Sequence, residues 1–225
     1  MNLVRMKFID LSQPVYDGAP NCPAHPPVKM RCEEHTDGGP ASWQMEFLEF
    51  AGHTGSHLDA PRHKLADAFT IDQLPLETFV GKSLLVDLRH LAPATAIEPH
   101  HLEAAIEGKV RGRIMLICTG WGDKRAKTDE WLYQSPFISP AGAIWLVEHG
   151  ARAIGIDHFS IGGTREPDNA RTHEILLGAG LWIVEELHFP HEVWQLAQPV
   201  HFMALPIHLR GASGAPCRPV IVVEN

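Results

Sequence analysis

The chain has 225 residues, of which 44% are hydrophobic and 20% are charged, a composition typical of a globular domain. Its formal net charge of −8 argues against nucleic acid as the main partner, because phosphate binding requires a basic surface. No signal-like segment opens the sequence and no run approaches the roughly 18 apolar residues of a membrane helix, so we expect a cytoplasmic protein with no membrane partner. The 4 cysteines lack C-x-x-C spacing and are predicted to be reduced thiols.

The predicted elements begin with strands and continue as alternating strands and helices. Strands are predicted at residues 7–11, 43–50, 83–88, 113–119, 151–156, 181–184, 201–207 and 220–223. Helices are predicted at residues 99–107, between Ser139-Pro140 and Gly150, and at residues 168–177 with Asp168 as the N-cap. Because strands and helices alternate in the later part and no linker or repeat interrupts the chain, we expect an α/β fold with a mixed sheet in a single domain, residues 1–225.

Four side chains of metal-binding type follow the second predicted strand. They are His53, His57, Asp59 and His63, at offsets of 0, 4, 6 and 10. Imidazole together with carboxylate suits zinc, manganese or iron. The spacing H-x-x-x-H also occurs on metalloprotease helices, but the glycine and proline inside this segment are poor helix residues and no Glu follows His53. A polar turn with incidental histidines is the alternative, and three histidines with an aspartate favour the metal site over it.

The even offsets would place all four side chains on one face of an extended strand. Ten residues of strand span about 33 Å, however, so no single ion reaches both ends. The chain must therefore curl, and Gly55 and Pro61 are the positions where it can do so. A curl brings the first three ligands to one ion and leaves His63 just beyond them, as a base or as a ligand to a second ion.

A second group of candidate ligands lies between residues 157 and 186. It consists of Asp157, His158, His173, Glu185 and Glu186. Each of these is more often a surface or structural residue when it stands alone, but together with the first cluster they can complete a site. Structural zinc sites often contain cysteine, so a set without cysteine favours an open or two-metal catalytic site. The chain has no G-x-S-x-G elbow, no Walker-type loop and no G-x-G-x-x-G after a strand.

Residues 53–63, HTGSHLDAPRH, closely resemble the H-x-G-T/S-H-x-D-A-P-x-H motif of the cyclase family of metal-dependent hydrolases. That family includes bacterial kynurenine formamidase, isatin hydrolase and a dienelactone hydrolase. Further segments resemble the family's pattern in order along nearly the whole chain: Asp10-Leu11-Ser12, Thr119-Gly120-Trp121, Gly155-Ile156-Asp157, residues 173–187, Leu205-Pro206 and Gly214-Ala215-Pro216. The resemblance implies a swivelling β/β/α fold and a homo-oligomer, either a dimer or a tetramer.

The resemblance also implies a site for one or two divalent ions, zinc or manganese. The implied ligands are His53 and His57 for the first ion, Asp59 as a bridge, and His63, His173 and Glu185 for the second ion. Some members carry glutamine at the position of Glu185 and bind one ion, so the glutamate favours the two-metal form. The adjacent Glu186 is an alternative to Glu185 as the ligand.

The N-terminal loop departs from the family's pattern. Kynurenine formamidases have a W-P-G-D pattern in this loop, and its Trp stacks on the aromatic substrate. This chain has Cys22-Pro23-Ala24-His25 instead. The missing Trp favours a cyclic substrate, although Trp43 or Phe47 is a candidate to fill its space. We therefore predict a hydrolase that cleaves a small cyclic amide, imide or lactone with metal-activated water, with His63 moving the proton. The alternatives are an arylformamidase acting on N-formylkynurenine and a metal-binding module without activity.

Overall fold

The computed structural model describes residues 6–39 and 42–224. Its strands are β1 (Met6–Asp10), β2 (Lys29–Thr36), β3 (Ser42–Glu49), β4 (His57–Asp59), β5 (Val80–Asp87), β6 (Ala96–Ile97), β7 (Ile114–Cys118), β8 (Phe137–Ile138), β9 (Ala153–Ile156), β10 (Trp182–Glu185), β11 (Val200–Met203), β12 (Gly214–Pro216) and β13 (Val220–Glu224). Its α-helices are α1 (Pro99–Ala105), α2 (Asp129–Tyr133), α3 (Pro140–Glu148) and α4 (Asp168–Gly178).

A 9-stranded sheet organises the fold, in the order β1-β13-β11-β5-β7-β9-β10-β4-β12. The central strands β5, β7, β9 and β10 run parallel to one another, and the strands that flank them pair in antiparallel fashion. Two small pairs, β2 with β3 and β6 with β8, form separate sheets. The predicted α/β class with a mixed sheet is therefore confirmed.

Strand β7 lies at the centre of the sheet, and all of its side chains are buried. Alternate residues point to opposite faces, so Ile114 and Leu116 join one core while Met115 and Ile117 join the other. Helices α1, α3 and α4 cover the second core. The first core includes Leu58 of β4, so the strand that carries two candidate ligands is anchored in it. Burial on both faces explains why the central strands are continuously apolar in sequence.

The structure differs from the predicted elements mainly before residue 60. The predicted strand at residues 43–50 corresponds to β3, but it pairs with the unpredicted β2 in a hairpin whose residues are largely exposed. The short elements β4 and α2 were also not predicted, because 3 and 5 residues are too few to establish a hydrophobic period. The predicted N-cap of α4 is wrong: Pro167 occupies the N-cap position and Asp168 is the first helical residue.

No helix in the described ranges, residues 6–39 and 42–224, is long and apolar enough to cross a membrane. The four cysteines are free, with Cys118 buried and Cys32 exposed, in agreement with the prediction of reduced thiols. The cytoplasmic location and the single domain over residues 1–225 remain predictions.

Candidate metal centre

Strand β4 carries two of the candidate ligands into the sheet. It pairs with β10 on one side and β12 on the other, which places His57 opposite Glu185 and Asp59 opposite Gly214. A Cβ at position 214 would lie 2.5 Å from the ring of His53, so glycine allows β12 to pass this close. His57 and Asp59 are both buried. Hydrogen-bonded neighbours on both sides therefore fix the two ligands in place.

The chain curls around β4 at the two positions that the sequence indicates. Gly55 has a φ of +61°, a left-handed conformation, and a Cβ there would lie 2.5 Å from the Val15 side chain. Pro61 begins a short 3₁₀-helix that ends at His63. These turns bring His63 back beside His53, with the two ring centroids 4.0 Å apart.

Within the described residues, two sets of donor atoms are compact enough to hold a metal ion, each with its atoms within 4.8 Å of one another. The first set is His53, His57 and Asp59, and the second is Asp59, His63 and His173. Asp59 belongs to both sets. Its Oδ1 lies 2.6 Å from His53 Nδ1 and 3.5 Å from His57 Nε2. Its Oδ2 lies 3.9 Å from His173 Nε2. The two oxygens of one carboxylate therefore face different histidines.

Glu185 lies between the two sets of donors. Its Oε2 is 3.4 Å from His57 Nε2, and its Oε1 is 3.5 Å from His173 Nε2. Its Oε1 also accepts a hydrogen bond of 2.6 Å from the backbone N–H of Ile161. The neighbouring Glu186 pairs instead with Arg125, whose Nε lies 2.6 Å from Glu186 Oε2. Of these two glutamates, Glu185 is the one beside the candidate ligands.

The hydrogen bonds of two histidines direct their Nε2 atoms toward the carboxylates. His57 Nδ1 donates to the carbonyl of Gly55 at 2.8 Å, and His173 Nδ1 donates to the carbonyl of Asn169 at 2.9 Å. Bonds of this kind fix the tautomer and orientation of metal-binding imidazoles. Asp59 Oδ2 is buried and has no hydrogen-bond partner in the described part of the chain. An unpaired buried carboxylate oxygen is costly, so the residues present fit a bound cation.

Charges within the cluster shift the titration of its members. Burial opposes the charged forms of His57 and His173, but the hydrogen bond to Glu185 and the nearby carboxylates outweigh it and raise the pKa of each to about 9. Burial favours the protonated forms of Asp59 and Glu185, but the surrounding histidines hold both pKa values below their usual range. His63 is exposed at the cavity, but partial desolvation by the surrounding side chains and the neighbouring His53 and His173 lower its pKa, so this ring is neutral near pH 7. The cluster therefore has two ionised carboxylates near neutral pH.

Two members of the second group of candidates have structural contacts instead. Asp157 accepts hydrogen bonds from the backbone N–H and the hydroxyl of Thr119, at 3.0 and 2.7 Å, and burial raises its pKa. His158 Nε2 donates to the carbonyl of Trp131 at 2.8 Å, and burial lowers its pKa to about 4. Both side chains tie the end of β9 to neighbouring segments. Their position next to the ligands in sequence does not bring them into the cluster.

A cavity of about 380 Å³ opens onto the ligand cluster. Its lining includes the candidate ligands His53, His57, His63, His173 and Glu185. One wall is formed by Cys22, Pro23, Ala24 and His25, and another includes Tyr133, Phe159 and Ser160. Five of the six predicted site residues therefore line one cavity, and the sixth, Asp59, is buried within 3.9 Å of ring nitrogens of three of them.

The aromatic surface of the cavity comes from residues that sequence reasoning missed. Trp43 and Phe47 lie on the exposed β2–β3 hairpin and do not line the cavity of their own chain, so neither fills the space of the missing Trp there. Tyr133 and Phe159 line it instead. Tyr133 ends α2, whose start carries a recognisable signal, because the side chain of Thr128 caps the helix and two acidic residues follow it.

The Cyclase family model, described as "Putative cyclase", matches residues 9–162, more than half of the chain. The chain belongs to the Cyclase family. The matched residues include the whole histidine motif at 53–63, which confirms the resemblance identified from that motif.

Similarity to proteins of known name extends along nearly the whole chain. A kynurenine formamidase of Bacillus mycoides (strain KBAB4) is 28% identical over 217 residues, covering 96% of this chain and 97% of that protein. A structure described as a potential metal-dependent hydrolase with cyclase activity is 26% identical, with a TM-score of 0.77 and coverage of 98% and 100%. Isatin hydrolase A from Labrenzia aggregata, 23% identical, has a TM-score of 0.80 with coverage of 98% and 94%. The fold expected from the resemblance is confirmed.

Proposed function

We propose that this Cyclase-family chain is a metal-dependent hydrolase that cleaves the carbonyl–heteroatom bond of a small cyclic amide, imide or lactone. The observation that carries the proposal is the position of Asp59, which is buried beneath an open cavity with its two oxygens facing different histidines. The names of two relatives, a kynurenine formamidase and a metal-dependent hydrolase, support a hydrolytic reaction.

The donor atoms suit one or two divalent ions, zinc or manganese. His53, His57 and Asp59 would hold one ion, and Asp59, His63 and His173 would hold a second, with Glu185 beside both sets. A carboxylate shared between two sets supports the two-ion form. The absence of cysteine from these sets favours an open catalytic site over a closed structural one.

A divalent ion, when bound, lowers the pKa of a coordinated water and polarises a substrate carbonyl. The chain itself supplies orientation and proton transfer. His63 is neutral and faces the cavity, so one of its ring nitrogens can accept a proton and pass it to the leaving nitrogen or oxygen. His63 acts in this way in the one-ion form and as a ligand in the two-ion form. Asp59 and Glu185 orient the Nε2 atoms of the histidines that face them.

The cavity wall favours a small ring over N-formylkynurenine. Aromatic stacking contributes about 0.5–1.5 kcal/mol beyond buried area, and apolar contact adds about 25 cal/mol per Å². Cys22, which stands where the formamidases have the stacking Trp, contributes less stacking and less apolar contact. Together these losses lower the affinity for N-formylkynurenine by more than about tenfold. Tyr133 and Phe159 remain as an aromatic surface against which a compact ring can pack.

Arylformamidase activity is the second candidate, because a named relative that covers nearly the whole chain is a kynurenine formamidase. A metal-binding module without activity is the third, and the presence of the complete donor set beside an open cavity disfavours it.

The discriminating experiment measures kcat/KM for isatin, small lactones and N-formylkynurenine on one metal-reconstituted preparation. We expect a cyclic substrate to exceed N-formylkynurenine by at least about tenfold. If N-formylkynurenine is better by that factor, the chain is an arylformamidase. If no substrate turns over in protein with bound metal, the inactive module is the better interpretation.

We also propose that the chain forms a homo-oligomer, either a dimer or a tetramer. The β2–β3 hairpin exposes large apolar side chains, with Trp43 67% exposed, Leu48 56% and Met45 49%. Extended apolar patches are uncommon on monomers and mark interaction surfaces. Light scattering after size-exclusion chromatography should give a mass of two or four chains, and a single-chain mass at micromolar concentration would contradict this part of the proposal.

A further inference from the structure

We infer that Arg125 is a positioning residue that fastens the cavity loop, defined as residues 14–28, over the candidate metal centre. The cavity loop supplies the wall formed by residues 22–25. Because that wall is assigned to substrate contact, this inference rests on the proposed function. Arg125 itself does not line the cavity, so it would act through the loop.

All three nitrogens of the Arg125 guanidinium have partners. Its Nε donates to Glu186 Oε2 at 2.6 Å, Nη1 donates to the carbonyl of Pro14 at 2.9 Å, and Nη2 donates to the carbonyl of Pro20 at 2.9 Å. The side chain is only 7% exposed. A planar, permanently charged group with a fixed arrangement of donors suits such a link better than the flexible ammonium of lysine. One side chain therefore joins two separate points of the loop to the protein body.

Most other hydrogen bonds of the cavity loop in the described residues are internal or reach the adjoining strand β2, although the His25 side chain also contacts the backbone of His53. They join the Gly18 N–H to the Val28 carbonyl, the Asn21 side chain to the Pro26 carbonyl, and the Met30 N–H to the Asp17 carboxylate. These bonds shape the loop without fastening it to the side of the sheet that carries the ligands. The entry of the loop is held separately, because the backbone N–H of Gln13 donates to Ser56 Oγ at 2.7 Å.

Glu186, the partner of Arg125, has a backbone conformation that its residue type does not favour. Its φ is +53°, in the left-handed region, where glycine or asparagine would be less strained. Its carboxylate is buried against Arg125, and its carbonyl accepts a hydrogen bond of 2.6 Å from Ser56 Oγ. The side-chain contact explains why a glutamate occupies this position. Since Glu186 directly follows Glu185, the ion pair links the cavity loop to the backbone that presents a candidate ligand.

Cys22 provides a reporter of loop position that does not depend on activity. It lies in the cavity loop and packs against Trp121, Trp131 and Phe159. Burial raises the pKa of its thiol, so alkylation of Cys22 is slow while the loop is in place. Release of the loop exposes the thiol and also displaces the wall that contacts the substrate. Loss of the Arg125 link should therefore raise both the alkylation rate and KM.

The test compares three variants with the wild type. The double variant Arg125→Met/Glu186→Gln removes the link without stranding a buried charge. Glu186→Gln alone keeps the two Arg125 bonds to the loop carbonyls but leaves the buried guanidinium without its anionic partner. Arg89→Lys is the matched control, since Arg89 pairs with Asp87 at an exposed site away from the cavity. Iodoacetamide labelling of Cys22, read by peptide mass spectrometry, is measured together with metal content, KM and kcat.

In the double variant we expect Cys22 labelling and KM each to rise by at least about tenfold, because two charge-assisted hydrogen bonds to the loop are lost. Metal content and kcat should stay within about threefold of wild type, since neither substitution changes a candidate ligand. Arg89→Lys should leave labelling and KM within about threefold of wild type. Glu186→Gln should raise both by less than the double variant, because it removes the ionic partner of Arg125 but keeps the two bonds to the loop carbonyls.

A folded double variant with unchanged Cys22 labelling overturns the inference, whatever its activity. Faster labelling with unchanged KM also overturns it, because the loop would then not form part of the substrate wall. If the double variant does not fold, Arg125→Lys replaces it, and an increase in labelling and KM supports the link while wild-type values refute it. If the wild type hydrolyses no substrate, the proposed function fails, but the labelling comparison still decides whether Arg125 holds the loop.

Discussion

Replacing Asp59 with asparagine removes the carboxylate that both donor sets share while keeping the size of the side chain. Its oxygens lie 2.6 to 3.9 Å from three histidine nitrogens, so an ion bound by those histidines would lie close to this charge. Two unit charges about 4 Å apart in water interact by about 1 kcal/mol, and a divalent ion therefore loses at least about 2 kcal/mol, or roughly thirtyfold in Kd. Asp59 is fully buried, so the loss in the folded protein should be larger.

The assay is competition with a chromophoric chelator for zinc and for manganese, with turnover measured on the same samples. Asp87→Asn is the matched control, because Asp87 is an exposed carboxylate paired with Arg89 and distant from the cavity lining. Circular dichroism and urea unfolding of the metal-free proteins check that the fold is retained. Metal affinity of the Asp59→Asn protein within threefold of wild type would refute the assignment of Asp59 as a ligand.

Further predictions concern protons, catalysis and stability. Metal affinity should rise from pH 6 to 9, because His57 and His173, with pKa values of about 9, must lose protons to bind a metal. Calorimetry in buffers of different ionisation enthalpy should detect this proton release at pH 7, and a binding enthalpy that does not depend on the buffer would contradict it. The same raised pKa values stabilise the metal-free protein. This contribution is complete at pH values below the unfolded histidine pKa of about 6.5 and should be lost as the pH rises to about 9. An unchanged urea midpoint between these pH values would argue against it. His63→Gln should lower kcat by roughly 100-fold, and wild-type turnover would remove His63 from the mechanism. Asp157→Asn should lower the free energy of unfolding by about 1–3 kcal/mol without loss of metal, because it weakens the buried hydrogen bonds to Thr119. Loss of metal in a stable variant would show that the role of Asp157 is not only structural.

The parts of the site that the sequence revealed are those encoded locally. The ligands between His53 and His63 lie within one short segment, and Gly55 and Pro61 mark the turns that fold this segment on itself. Helix α3 could also be predicted, because it begins at Ser139-Pro140 as expected, where the Ser139 hydroxyl accepts a hydrogen bond from the Gly142 N–H. Central strands such as β7 are buried on both faces and therefore show an uninterrupted apolar run.

Features that depend on distant segments could not be predicted in the same way. Glu185 is distinguished from Glu186 only when β10 pairs with β4 and sets His57 opposite Glu185. Arg125 is 61 residues from its ionic partner, and neither position has a local pattern that joins them. The exposed strand β2 lacks a buried face, so its sequence has no alternation to reveal it.

The most direct test of metal-dependent hydrolysis is a titration of turnover against bound metal. The protein is stripped with a chelator, reloaded stepwise with zinc or manganese, and assayed at each step with the best cyclic substrate. We predict no turnover without metal and an increase with bound metal that ends at one or two ions per chain. Turnover that persists with less than about a tenth of an ion per chain would contradict the proposal, since no metal would then be available to activate water.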